Sequence, residues 1–187
     1  MRKVLLVVHC YARIYSHFAT CLNFLLSSLV LFPPKNGRVA VALCVSPGDE
    51  RVWRVINWFW ESTPLEMKVF SMEEAKLGRR CIGRNLAARE SEDADLVWFT
   101  DTDYVFRGCL DRLLELEWPS GASLIYPTSL RVHRDCEEGD VFLRQWDGHV
   151  GLADMDVSDF IWTGYGKAIG GIQIVKGEFA RRHGYLD

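Results

Sequence analysis

The sequence predicts an α/β fold, a mostly parallel sheet with helices on both faces. Three observations carry that prediction. Short continuous runs rich in Val and Leu alternate with longer helical patterns, giving strand-helix-strand-helix-strand-helix-strand. The runs lack a polar face, the mark of strands buried on both sides. An acidic turn closes the fourth run, at the carboxyl edge where such sheets bind ligands.

Lys3 to Val8 reads as the first strand, and Ser16 to Phe32 as a helix stopped by Pro33-Pro34. Asn36-Gly37 makes a turn. Val39 to Val45 is a second buried strand, ended by Ser46-Pro47-Gly48-Asp49. From Glu50 to Glu61, the spacing of Val52, Trp53, Val55, Ile56, Phe59 and Trp60 marks an amphipathic helix. Met67 to Phe70 is a third strand, and Glu73 to Glu92 a helix with Gly78 and Gly83 as weak points. Leu96 to Thr100 is the fourth strand. Leu110 to Leu116 reads as a short helix and Ser123 to Tyr126 as a further strand. Asp135 to Asp159 is polar and without period, a long surface excursion. Gly170 to Val175 then reads as a strand, and Gly177 to His183 as a helix.

A length of 187 residues fits a single domain, here 1–187. Apolar residues make up 49% of the chain and aromatics 12%, enough for a core, which excludes disorder. The formal charge is −3, from 22 basic and 25 acidic side chains without long runs, which argues against nucleic acid or a membrane surface as partner. None of the six cysteines forms a C-x-x-C pair, excluding zinc-ribbon and thioredoxin-type readings. A reducing, cytoplasmic setting is expected. The apolar runs at Val4 to Val8 and Cys21 to Phe32 are separated by Arg13 and His17. Neither reaches the roughly 20 residues of a transmembrane segment, so none is expected.

The acidic turn is the most informative stretch. Asp101 and Asp103 stand i, i+2 at the end of an apolar strand, and in extended backbone such positions point to one side. Two carboxylates so placed repel unless a cation lies near them. Hard cations such as magnesium and manganese take oxygen ligands and often hold carboxylate and phosphate together. There a metal can neutralise a departing diphosphate. A solvated strand-end turn explains the same residues without a metal, since D-x-D is a common triplet.

In order along the chain, Val7-Val8-His9-Cys10-Tyr11-Ala12-Arg13, Cys21 to Leu29, Gly83-Arg84-Asn85-Leu86-Ala87-Ala88, Leu96 to Asp103, Gly170 to Val175, and Phe179 through Gly184-Tyr185-Leu186-Asp187 resemble segments of the family-2 glycosyltransferases and their GT-A relatives. The resemblance implies a GT-A fold, a nucleoside-diphosphate sugar donor and a divalent metal, manganese or magnesium. The reaction it implies is transfer of the sugar to an acceptor hydroxyl, with inversion by direct displacement. The acceptor could be a glycan, a lipid or a protein. The resemblance would place Tyr11, Arg13 and the loop from Ser46 to Asp49 near the base and ribose, Arg84 and Asn85 near the donor, and Asp101 and Asp103 at the metal. Residues 1–107 would then form the nucleotide-sugar-binding half and 108–187 the acceptor-side half, with Gly170 and Gly171 in the acceptor region.

This chain departs from the family pattern in three places. Ala12 stands where the family has Asn. Ser46-Pro47-Gly48-Asp49 stands where it has Asp-Asp-Gly-Ser. The family's acidic pair, which carries the general base, follows the position of Asp187. The chain therefore lacks its base, supplies it from elsewhere or is a fragment.

Other residues divide between functional and structural readings. Arg80 and Arg84 share a helix face and suit a diphosphate clamp, or a solvated basic face. Trp162, among glycines, suits stacking on an acceptor sugar, while Phe160 suits packing. Asp154, Asp156 and Asp159 form an acidic cluster from which a general base could come. Asp159 and Asp187 are the base candidates, against the reading of a solvated loop and a fraying chain end. His9 and His17 read as structural. His133 and His149 lie in loop-like sequence. Two other functions stand beside glycosyl transfer: an aspartate-nucleophile phosphatase, whose strand-Asp-x-Asp motif is similar, and a nucleotide-sugar-binding domain without catalysis.

Overall fold

Period-two alternation sorts the strand residues of this chain into two apolar layers. In the computed structural model, which describes residues 1–10, 17–91, 93–133, 158 and 160–185, Val4, Leu6 and Val8 enter one core and Leu5 and Val7 the other. Val41, Leu43 and Val45 face the first core, and Ala40, Ala42 and Cys44 the second. Both faces are thus apolar, as strands covered by helices on each side require.

The sheet has five strands in the order β3-β2-β1-β4-β7. They are β1 (Arg2–His9), β2 (Gly37–Val45), β3 (Glu66–Ser71), β4 (Leu96–Asp101) and β7 (Ile172–Lys176). β1 pairs parallel with β2 and β4, and β2 parallel with β3, whereas β7 runs antiparallel to β4. A second sheet pairs β5 (Ser129–His133) antiparallel with β6 (Phe160–Gly164). Helices α1 (Phe18–Leu31), α2 (Glu50–Ser62) and α5 (Cys109–Glu115) contribute to the first core. Helices α3 (Glu74–Leu77), α4 (Arg80–Arg89) and α6 (Gly177–His183) contribute to the second. The α/β, mostly parallel architecture with helices on both faces is as the sequence predicts.

Four elements differ from the sequence reading. The helix expected from Glu73 to Glu92 is two helices. Gly78 closes α3, and Arg79 leaves helical geometry at φ −99°, ψ 84°, so α4 starts afresh. Glycine loses the most backbone freedom in a helix, so a break falls there at low cost. The strand expected from Ser123 to Tyr126 is a single bridge between Ile125 and Ile174, and Pro127, with no N–H to give, ends it. Phe160 to Gly164, read as irregular, is strand β6. Its partner β5, from Ser129, was not expected either.

The fold also explains where α4 lies. An added Cβ on Gly83 would sit 2.6 Å from His9 Nε2 and 2.8 Å from Cys44 Sγ. Only glycine lets this helix press so closely on β1 and β2. The neighbouring face is built from small residues, Ala40, Ala42, Ala87 and Ala88.

Candidate active site at the carboxyl end of β1 and β4

The chain order places β2 and β3 on one side of β1 and β4 on the other, so the sheet's topological switch lies between β1 and β4. Parallel sheets open a crevice at that point, beyond the carboxyl ends of the strands. His9 and Asp101 are the paired residues that close β1 and β4 there. The turn after β4 is pinned from below. Phe106 donates its amide to the Ser28 hydroxyl at 3.0 Å, that hydroxyl donates to Leu25 O, and the Phe106 ring meets Trp98 edge-on.

Asp101 is held by two guanidinium groups. Arg84 Nη2 donates to its Oδ1 at 3.0 Å, and Arg80 Nη1 donates to Oδ1 at 3.1 Å and Oδ2 at 3.3 Å. The two arginines, one helical turn apart, differ sharply in exposure. The Arg84 side chain is fully buried and that of Arg80 is 46% exposed. A buried charge needs a partner, and Arg84 has two: the Asp101 carboxylate and the Tyr185 ring, whose centroid lies 4.5 Å from Cζ. Its Nε and Nη1 make no hydrogen bond to a described residue. Arg80 is thus the solvent-facing arginine of the pair, and Arg84 the one beneath Asp101.

Asp103 is exposed to solvent, yet its carboxyl is pushed above the usual range. Surrounding protein mass that desolvates it is the larger cause and the Asp101 charge the second, while His17 and Arg80 pull the other way. Tyr104 next to Asp103 has its phenol pushed up by burial and by the charges of Asp103 and Asp101, with Tyr165 adding to the shift. His9, beneath, is driven down to about 3 by burial and then by Arg84 and Arg80, so it is a neutral imidazole at neutral pH.

Gly170 and Gly171 enter the same cluster. A Cβ on Gly171 would fall 2.5 Å from Asp101 Oδ2, so glycine is required where the carboxylate lies on the backbone. One on Gly170 would stand 3.6 Å from both Arg80 Nη atoms and the Tyr185 hydroxyl. The structure thus brings Arg80, Arg84, Asp101, Asp103, Gly170 and Gly171 to one place. Tyr104, Tyr165, Tyr185 and His17, which the sequence did not single out for this turn, join them. Of these Tyr185 carried a signal as the aromatic after Gly184, and Tyr165 as an aromatic among glycines.

Other expected donor residues have local partners. Asp49 caps α2, accepting the Val52 amide, and the Ser46 carbonyl accepts the Trp53 indole N–H at 3.0 Å. Asn85 Oδ1 accepts the Tyr185 amide at 2.7 Å. Trp162, on β6, is 66% exposed, with Arg131 of β5 over its ring at 5.2 Å. Tyr11, Arg13, Asp154, Asp156, Asp159, Asp187 and His149 lie outside the described residues.

The two carboxylates differ in their fitness for a divalent cation. Asp101 is compensated by arginine, whereas Asp103 has no ion pair among the described residues, and its raised protonation is what a cation would reverse. No group of three or more His, Cys, Asp and Glu stands ready to hold a metal among the described residues. A cation at Asp103 would therefore draw its remaining ligands from water and a phosphate-bearing ligand, the usual pattern for magnesium.

No family model and no curated protein sequence matches the chain. Solved structures do. The galactosyltransferase LgtC, in complex with donor and acceptor sugar analogues, aligns with a TM-score of 0.51 at 14% identity over 98% of this chain and 60% of LgtC. TarS of S. aureus (residues 1–349, in complex with UDP) aligns at 0.45 and 18% identity over 61% of this chain and 31% of its own. Mouse xyloside xylosyltransferase 1 aligns at 0.47 and 13% identity over 97% and 69%. This chain thus spans about a third of that TarS structure and 60% of LgtC. Among the described residues no helix is long and apolar enough to cross a membrane. The chain has a GT-A-like α/β fold.

Proposed function

We propose that the chain carries the donor site of a metal-dependent glycosyltransferase, which moves a sugar from a nucleoside-diphosphate sugar to an acceptor hydroxyl. The observation that carries this reading is the pairing of Asp101 with Arg80 and Arg84 beside an exposed Asp103 that has no ion pair among the described residues, at the switch point of the sheet. Asp103 would hold manganese or magnesium directly and Asp101 through water, and the cation would supply charge neutralisation of the departing diphosphate. Arg80 faces solvent and suits the phosphates. Arg84 fixes Asp101 from below, leaving it oriented toward the metal's water or the ribose. The Gly170-Gly171 turn, which lies against Asp101 and Arg80, belongs to the acceptor side, where the exposed Trp162 ring suits an acceptor sugar.

Inversion by direct displacement, in which a carboxylate takes the acceptor proton, follows from the family resemblance, with Asp159 and Asp187 as the base candidates. The phosphatase alternative needs an open nucleophilic oxygen on Asp101. Arginine donors on both of its oxygens disfavour that. Free thiols at Cys44, Cys81 and Cys109 support a reducing, cytoplasmic setting.

The test is calorimetric titration of uridine and guanosine diphosphates with and without manganese, on the wild type and on Asp103→Ala. Metal-dependent binding of one nucleotide, lost in a variant with an unchanged far-UV spectrum, is expected. Equal affinity in Asp103→Ala would overturn the metal assignment, and no binding to the wild type would overturn the donor site.

A further inference from the structure

Tyr185 lies far from the acidic turn in sequence but touches four parts of the site. Its ring centroid stands 4.5 Å from Arg84 Cζ. Its backbone amide donates to Asn85 Oδ1, one residue further along α4. Its ring meets Phe99 of β4 at 5.0 Å and 71°, an edge-on contact. Its hydroxyl reaches the Gly170 turn. The approach depends on Gly184, whose φ of 73° suits glycine and where a Cβ would overlap the Asn85 amide oxygen.

We propose that Tyr185 is a positioning residue of the donor site, its ring holding the buried Arg84 guanidinium in the orientation that fixes Asp101. This rests on the donor-site reading above. The physical need is specific. Arg84 has no solvent exposure, one hydrogen bond to Asp101, and two donor nitrogens without a described partner. A planar cation with one directional bond can swing about it. An aromatic face opposite the guanidinium removes that freedom and offers the cation an electrostatic partner in place of water. An aliphatic side chain of similar bulk would fill the space without supplying that partner. Tyr185 is itself held at its backbone amide by Asn85 and at its ring by Phe99, so α4, β4 and the Gly170 turn meet on this residue.

The experiment compares wild type, Tyr185→Phe and Tyr185→Leu in calorimetric titrations with UDP and with GDP in manganese, with thermal melts alongside. The Phe variant keeps the ring and is expected to bind within about twofold of wild type. The Leu variant keeps bulk without the π face and is expected to bind roughly three- to tenfold more weakly, the range of a partly desolvated cation–π contact. Rescue by Phe but not Leu is a pattern that mere space-filling does not give. Wild-type affinity in the Leu variant, or weakened binding in the Phe variant, overturns the positioning role and leaves the donor site standing. Failure of the wild type to bind either nucleotide overturns the donor site and the positioning role together.

Discussion

Arg84 Nη2 donates to Asp101 Oδ1 across 3.0 Å from a side chain with no solvent exposure, while Arg80 reaches the same oxygen from a half-exposed one. One carboxylate thus has a structural arginine beneath it and a solvent-facing arginine beside it. The two should separate in mutation.

Arg84→Ala would leave Asp101 without its buried partner and open a void under Tyr185. Removing one member of a fully buried pair costs about 3–5 kcal/mol. Asp101 is a third exposed and keeps Arg80, so a loss on the order of 2 kcal/mol is expected after discounting for solvent. Arg80→Ala should change stability by less than about 0.5 kcal/mol, as exposed pairs do, and yet weaken manganese-dependent nucleotide binding. Urea unfolding paired with calorimetry reads both.

Gly83→Ala sets helix propensity against packing. In an exposed helix the change gains about 1 kcal/mol. Here the new Cβ meets His9 and Cys44 below 3.0 Å, and overpacking typically costs about 1–3 kcal/mol. Net destabilisation is expected. A raised urea midpoint would show that α4 can lift off the sheet at little cost.

Asp49 tests a cap against a ligand contact. Asp49→Ala should lose about 1 kcal/mol of stability through the Val52 amide, while Asp49→Asn should lose much less because Asn also caps. If Asp49 also touches the nucleotide, Asp49→Asn will weaken UDP or GDP binding in manganese without that stability loss.

His9 predicts a pH dependence. Its native value of about 3 lies below the ordinary 6.5, so between these values the unfolded chain binds a proton that the folded chain refuses. This contribution is absent above about pH 6.5 and increasingly destabilises the fold as pH falls toward 3, by up to about 1.4 kcal/mol per unit. The stability difference between wild type and His9→Gln should therefore shift in favour of the variant on acidification. A pH-independent difference, measured by urea unfolding, would show that His9 takes a proton in the folded state.

The strands were readable because a buried strand must be apolar throughout. Val4 to Val8, Val39 to Val45 and Leu96 to Thr100 could hardly be anything else, and all three lie in the central sheet. The break at Gly78 was visible as a weak point. The turn of Arg79 out of helical geometry, which makes two helices of one, was not. Strands β5 and β6 escaped notice because a two-stranded ribbon half open to solvent has no continuous apolar run.

Asp101 and Asp103 were legible as a pair, since i, i+2 spacing at a strand end is a local property. The pairing of Asp101 with two arginines was not. Both arginines lie on one helix face, and nothing in their spacing says that Arg84 is buried under Tyr185 while Arg80 stays in solvent.

Local chemistry, which needs only neighbours in the chain, determined the alternation of strands and helices, the acidic turn and the glycines that punctuate them. Contacts across long separations in sequence were decided by the tertiary structure alone: Tyr185 on Arg84, Gly171 on Asp101, Ser28 on Phe106. Such pairings arise from the packing of the sheet's two apolar layers. Burial then gives two identical side chains, Arg84 and Arg80, opposite exposures.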